Sequence, residues 1–123
     1  EYRRHYQGCG DTANGYLMAQ QAVKQMLEEE DRPTTLECET DALALGALSE
    51  AMECGARVPA ELAIVGHDGL DLPMMLYPRI TTVVQPRYQM GQIAANLLVD
   101  MVSGQPGVTR MTLNLSMFQG DTT

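Results

Sequence analysis

The sequence predicts an α/β fold, a parallel sheet with flanking helices, from three observations. Segments with helical and strand periods alternate along the chain, about four strands to three full helices. Leu62, Ala63, Ile64 and Val65 form an apolar run that follows Pro59 and stops at Gly66, the pattern of a strand covered on both faces. His67 and Asp68 come directly after it, polar groups at the carboxyl end of a strand, where open α/β sheets hold their ligands.

Taken in order, residues 1–11 show no period and read as the close of a helix that begins further upstream. Arg3 there is either solvated or a planar fork of donors at a pocket rim. Asp11 or Thr12 is a candidate cap, and Asn14-Gly15 delays the helix proper. Over residues 17–30, Met18, Ala22 and Met26 recur four apart beside Val23 and Leu27, giving an amphipathic helix. Glu28, Glu29, Glu30 and Asp31 oppose the dipole at its carboxyl end and predict fraying.

Pro33 ends that segment, and residues 34–38 read as a short strand. Thr40 or Asp41 then caps a helix over residues 42–52. The position is again a strand-to-helix turn, so a ligand role for both residues competes with the capping role. Leu43, Leu45, Leu48 and Met52 do not fit one stripe, so this helix needs two covers, its own sheet and a second subunit. Gly55 stands as its C′ glycine.

Beyond Asp68, Met74, Met75, Leu76 and Tyr77 sit between Pro73 and Pro78, more apolar residues than a small loop buries. They suit an interface or the domain's own core equally. A second strand over residues 80–84 is closed by Pro86. In the helix Arg87–Val102, Met90, Ile93, Ala94, Leu97, Leu98, Met101 and Val102 make one apolar face that needs a partner. Residues 103–107 are a turn, residues 111–117 alternate as a half-buried strand, and the tail over residues 120–123 is expected to be loose.

With 123 residues the chain is one modest domain with a single core. A net charge of -8 argues against this segment gripping nucleic-acid phosphates, since that task needs a basic face. No apolar run approaches the roughly 20 residues of a membrane span. No signal peptide is evident, and the opening Glu1-Tyr-Arg-Arg, without Met, predicts a piece of something longer. Cys9, Cys38 and Cys54 are odd in number and lack a C-x-x-C pair, which favours free thiols in a reducing cytoplasm. With only His5 and His67 beside them, no metal site is expected.

Catalytic motifs are missing too. There is no G-x-G-x-x-G, no phosphate-binding G-x-x-x-x-G-K and no G-x-S-x-G elbow, so no cofactor is indicated. Asp41 and Asp68 could serve as the acid and base of a sugar hydrolase. Both, however, stand where carboxylates accept hydrogen bonds from ligand hydroxyls, and no nucleophile accompanies them. Binding is favoured over turnover, with Asp68 as the polar anchor.

Four stretches then match a known family in order and spacing, from about residue 34 to residue 104. They are Thr40-Asp-Ala-Leu-Ala-Leu-Gly-Ala-Leu, Gly55-Ala-Arg-Val-Pro-Ala-Glu-Leu-Ala-Ile-Val-Gly-His-Asp-Gly, Pro78-Arg-Ile-Thr-Thr-Val and Gly91-Gln-Ile-Ala-Ala. This set resembles the carboxy-terminal part of LacI/GalR-type transcriptional regulators. Within that family, His67 with Gly69 and Phe118-Gln119-Gly120 are most similar to the gluconate-repressor branch.

The resemblance implies a periplasmic-binding-protein-like core of two lobes, residues 1–123 being the carboxy-terminal part of the effector-binding and dimerisation domain. The first lobe and a helix-turn-helix DNA-binding domain would lie outside this chain. The implied protein is a cytoplasmic, homodimeric, allosteric repressor that senses a sugar or sugar acid and uses no cofactor and no membrane. Residue by residue, the resemblance makes Asp68 the acceptor of effector hydroxyls, with His67 beside it. Thr40 stands where the family often carries an effector-binding Asn, and Asp41 matches the acid that follows. Arg3 and Asn14 fall near effector-binding positions. Leu45, Leu48, Ser49, Met52, Leu76 and Tyr77 correspond to the family's dimer surface. The alternative is a periplasmic sugar-binding receptor of a transport system, which would carry a secretory signal upstream.

Overall fold

A computed structural model describes residues 12–105, 107, 108 and 110–123. Arg3, Cys9 and the cap candidate Asp11 lie outside the described residues. The elements are α1 (Thr12–Leu27), β1 (Thr35–Glu37), α2 (Asp41–Glu53), β2 (Ala63–Asp68), α3 (Asp71–Met75), β3 (Thr81–Val84), α4 (Arg87–Val102) and β4 (Ser116–Phe118). They fall into two compact units, one running to Val84 and rejoined by the tail from Met117, the other Gln85–Ser116.

In the first unit the strands lie in the order β1-β2-β3-β4. As expected of strands joined through helices, β1, β2 and β3 are parallel, with Thr35 opposite Ala63 and Val65 opposite Thr81. The core is aliphatic: Val23 and Met26 of α1, Ala44, Ala47 and Ala51 of α2, then Leu62, Ile64 and Ile80. Each of the larger side chains contributes about 1.5–3 kcal/mol by leaving water. Small residues on α2 let α1 approach closely. A Cβ at Gly46 would strike the Tyr16 carbonyl, so only glycine fits that crossing.

The helix ends follow local chemistry. Helix α1 starts at Thr12, ahead of Asn14-Gly15, and stops at Leu27, before the four acids that its dipole disfavours. The Glu28 and Glu29 amides donate three residues back, to Gln25 and Met26. Helix α2 opens on the Thr40 hydroxyl, which accepts the Leu43 amide at 3.3 Å. It closes in a Schellman turn: Gly55 (φ 76) donates to the Met52 carbonyl and Ala56 to that of Ala51. The segment between Asp68 and Tyr77, expected as an apolar loop, contains the short helix α3.

The tail expected to be loose is instead stitched down. Thr122 is fully buried, its hydroxyl donating to the Ile64 carbonyl at 2.6 Å and accepting the Thr81 amide at 3.0 Å. Its carbonyl accepts the Ile64 amide at 2.8 Å. The Arg79 guanidinium holds Asp121 through two bonds of 2.9 and 3.0 Å. That side-chain pairing, helped by the Arg79 amide, holds the Asp121 carboxyl down at about 2. A polar tail becomes part of the sheet because these groups replace a missing stretch of ladder.

The second unit is α4 with the chain that follows. Gly104 (φ 69) ends the helix in another Schellman turn, Gln105 donating to Asp100 and Gly104 to Met101. No residue of α4 is buried, and Tyr88, Met101 and Val102 are among the exposed side chains. The strand expected over residues 111–117 is a strand only at Ser116–Phe118. Apolar alternation prepares a face, but a strand exists only where a neighbour takes its hydrogen bonds. Among the described residues, no helix is long and apolar enough to cross a membrane.

Candidate functional site

Parallel pairing puts the carboxyl ends of β1, β2 and β3 on one edge of the sheet. Thr40 and Asp41 follow β1 there, and Asp68 is the last residue of β2, opposite Val84. Asp68 has φ 112, and Gly69 after it has φ 69. Gly69 is required: a Cβ there would lie 2.7 Å from the Val84 side chain. For Asp68 no such fit exists, because a non-glycine residue in that region costs about 1–3 kcal/mol.

The Asp68 side chain is 31% exposed and that of His67 is 38% exposed, with Nδ1 of His67 3.4 Å from Oδ1 of Asp68. A partly exposed carboxylate thus stands on a strained turn at the sheet edge. Asp68→Gly is therefore expected to be about 1 kcal/mol more stable than Asp68→Ala, since only glycine relaxes this φ. Urea unfolding of the two variants measures the difference; equal stabilities would mean that the turn carries no strain.

Asp41 occupies a different position from the one expected. Its side chain is wholly buried, one oxygen accepting the Leu70 amide at 2.6 Å and the other the Thr82 hydroxyl at 2.5 Å. Gly66 leaves the room for it, since a Cβ there would strike Oδ1 of Asp41. A direct effector contact through Asp41 is thus corrected to a bridge inside the fold: with both oxygens taken and no exposure, nothing is left to offer a ligand. Thr40, half-buried, keeps its place at the sheet edge while capping α2. Asn14 is exposed, near the start of α1. Arg3 lies outside the described residues.

Sequence reading missed Leu70, Thr82 and Gly66 as parts of this edge. Thr82 was visible in Pro78-Arg-Ile-Thr-Thr-Val, but only the register of β3 against β2 brings it to Asp41.

Burial, assisted by Glu37 and Asp41, pushes the Cys38 thiol up to about 12, and burial with a Glu50 hydrogen bond also raises Cys54. Both stay protonated near neutral pH, which gives no support to a thiolate nucleophile. Among the described residues, no group of three or more His, Cys, Asp or Glu is placed to hold a metal.

A second feature lies on the outer side of α2 and α3. A shallow groove of about 180 Å³ is lined by Leu45, Leu48, Ser49, Met52, Leu76 and Tyr77, all six of the expected dimer residues, with Pro73 and Ile80 at its base. Tyr77 is 87% exposed and Met52 52%. The groove is apolar and suits a protein surface better than a polyol.

Comparison with known proteins follows the same lines. The periplasmic binding protein-like domain model matches residues 2–123. The transcriptional repressor CytR of Escherichia coli is 44% identical over 84 residues, 68% of this chain and 25% of that protein. The lac repressor dimer bound to operator and the anti-inducer ONPF superposes with a TM-score of 0.80 at 31% identity, over 87% of this chain and 37% of that one. A LacI family regulator from Arthrobacter in complex with lactose gives 0.79 at 29% identity, over 88% of this chain and 41% of that one. The chain thus spans about a quarter of the curated relative's length. It belongs to the periplasmic binding protein-like domain family, in the form carried by LacI/GalR-type transcriptional regulators.

Proposed function

We propose that residues 1–123 form the carboxy-terminal part of the effector-binding and dimerisation domain of a cytoplasmic bacterial transcriptional repressor. A sugar or sugar acid, gluconate-like in kind, is its effector. The first lobe and the DNA-binding domain belong to the rest of the protein, and DNA is reached only through them. The observation that carries this reading is Asp68, a half-exposed carboxylate on a strained turn at the carboxyl edge of a parallel sheet. Its two oxygens can each accept a ligand hydroxyl, a recognition that suits vicinal diols. Thr40 and His67 stand at the same edge as further polar partners, Asn14 is assigned to its periphery, and the role of Arg3 rests on the family resemblance alone.

Two similar structures support the ligand class and the assembly, one holding lactose and the other a dimer on its operator. CytR, also similar, is a repressor, which favours this reading over a transport receptor or a hydrolase. The mechanism is population shift. An effector that binds one arrangement of the lobes better than the other moves that equilibrium, and the paired DNA-binding heads follow.

Calorimetric titration of the full-length protein with D-gluconate, related sugar acids and neutral sugars tests the proposal. At least one should bind, and Asp68→Asn should weaken it by about tenfold or more, the loss of a charged acceptor. Undiminished binding by Asp68→Asn would remove Asp68 from the site.

A further inference from the structure

We infer that Asp41 is the positioning residue of this site: it holds the Asp68 turn from behind and never touches the ligand. The inference rests on the reading of Asp68 as the effector contact.

Asp41 ties the backbone just after Asp68 to a side chain of the neighbouring strand. Leu70, whose amide it accepts, lies two residues after Asp68. Thr82, whose hydroxyl it accepts, is the β3 residue paired with Gly66, two residues before Asp68. Between Gly66, paired with Thr82, and Leu70 run the consecutive positive-φ residues Asp68 and Gly69. Such a turn persists only where its surroundings over-determine it.

The anchor itself is rigid. Asp41 is the first residue of α2, directly after the Thr40 cap, and its carboxylate is sealed from solvent. An acid placed merely to suit a helix amino terminus faces its own first turn. This one reaches partners 29 and 41 residues away.

The donors set the chemistry of the test. The Leu70 amide can only donate, whereas the Thr82 hydroxyl can donate or accept. Asn at position 41 can therefore keep both bonds, with its oxygen toward Leu70 and its NH₂ toward Thr82. Ala keeps neither.

Hydrogen exchange at the Leu70 amide and calorimetry with D-gluconate, both on the full-length protein, separate the possibilities. Asp41→Ala is expected to raise Leu70 exchange and the D-gluconate Kd by about tenfold or more each. Asp41→Asn should stay within about threefold of the parent in both, because its two bonds survive. Val23→Ala, which loosens the core elsewhere, should lower the unfolding midpoint yet leave both readouts in place.

If Asp41→Ala keeps parental exchange and affinity, or if Asp41→Asn is as damaging as Ala, the inference is overturned. Should Asp41→Ala not fold, Thr82→Val removes one grip, and an unchanged Leu70 exchange rate there overturns it equally. If the parent protein does not bind D-gluconate, the reading of Asp68 as a gluconate contact fails by itself, and exchange at Leu70 still decides the role of Asp41.

Discussion

Met52→Asp is expected to raise the dissociation constant of the proposed full-length dimer by about a hundredfold or more, read by sedimentation. Met52 lies on the apolar groove between α2 and α3, where every other residue proposed for the dimer surface also lies. In this chain it is half open to solvent, so a charge there leaves the fold of one subunit intact. In the proposed dimer the same charge would be buried without a partner, and charging a buried contact is among the costliest changes an interface undergoes. Asp so near the carboxyl end of α2 also opposes the helix dipole. Met52→Lys removes that complication, since its charge suits the dipole and still cannot be buried. Both should dissociate the dimer; a dimer unaffected by either would place the interface elsewhere.

Thr122→Val is expected to cost about 2–4 kcal/mol in urea unfolding of the intact protein. The substitution replaces the hydroxyl by a methyl of similar size, so it opens no large cavity. What it removes is one hydroxyl that serves the Ile64 carbonyl and the Thr81 amide together, in a site closed to water. Two backbone groups are then left buried and unpaired. Thr122→Ser keeps the hydroxyl and should lose far less. A cost under about 0.5 kcal/mol for Val would show that the tail is not part of the cooperative unit.

The two predictions mark what the sequence could and could not reveal. The apolar excess on α2, Leu43, Leu45, Leu48 and Met52, needs no tertiary knowledge to count; the fold buries Leu48 in its core, packs Leu43 and Leu45 against it and leaves Met52 exposed. The central strand was legible from its apolar run, but it continues through Gly66 to Asp68 instead of stopping at the glycine, and the turn begins at Asp68 itself. The Thr122 stitch was not legible, since its partners lie 41 and 58 residues away and a Gly-Asp-Thr-Thr tail reads as solvent-exposed. Asp41 was misassigned on the same ground. Its position after a strand suits a ligand and a buried bridge alike, and only the register of β3 against β2 brings Thr82 within reach. The strand over residues 111–117 erred in the opposite sense: alternation ran over the whole stretch, and a strand forms only at Ser116–Phe118, beside β3.

The structure of the full-length protein with its bound sugar or sugar acid tests the central claim most directly. Ligand hydroxyls should lie within about 3 Å of the Asp68 carboxylate, with Asp41 still sealed behind it on Leu70 and Thr82. A ligand seated elsewhere, or an Asp68 side chain turned away from it, would contradict the account.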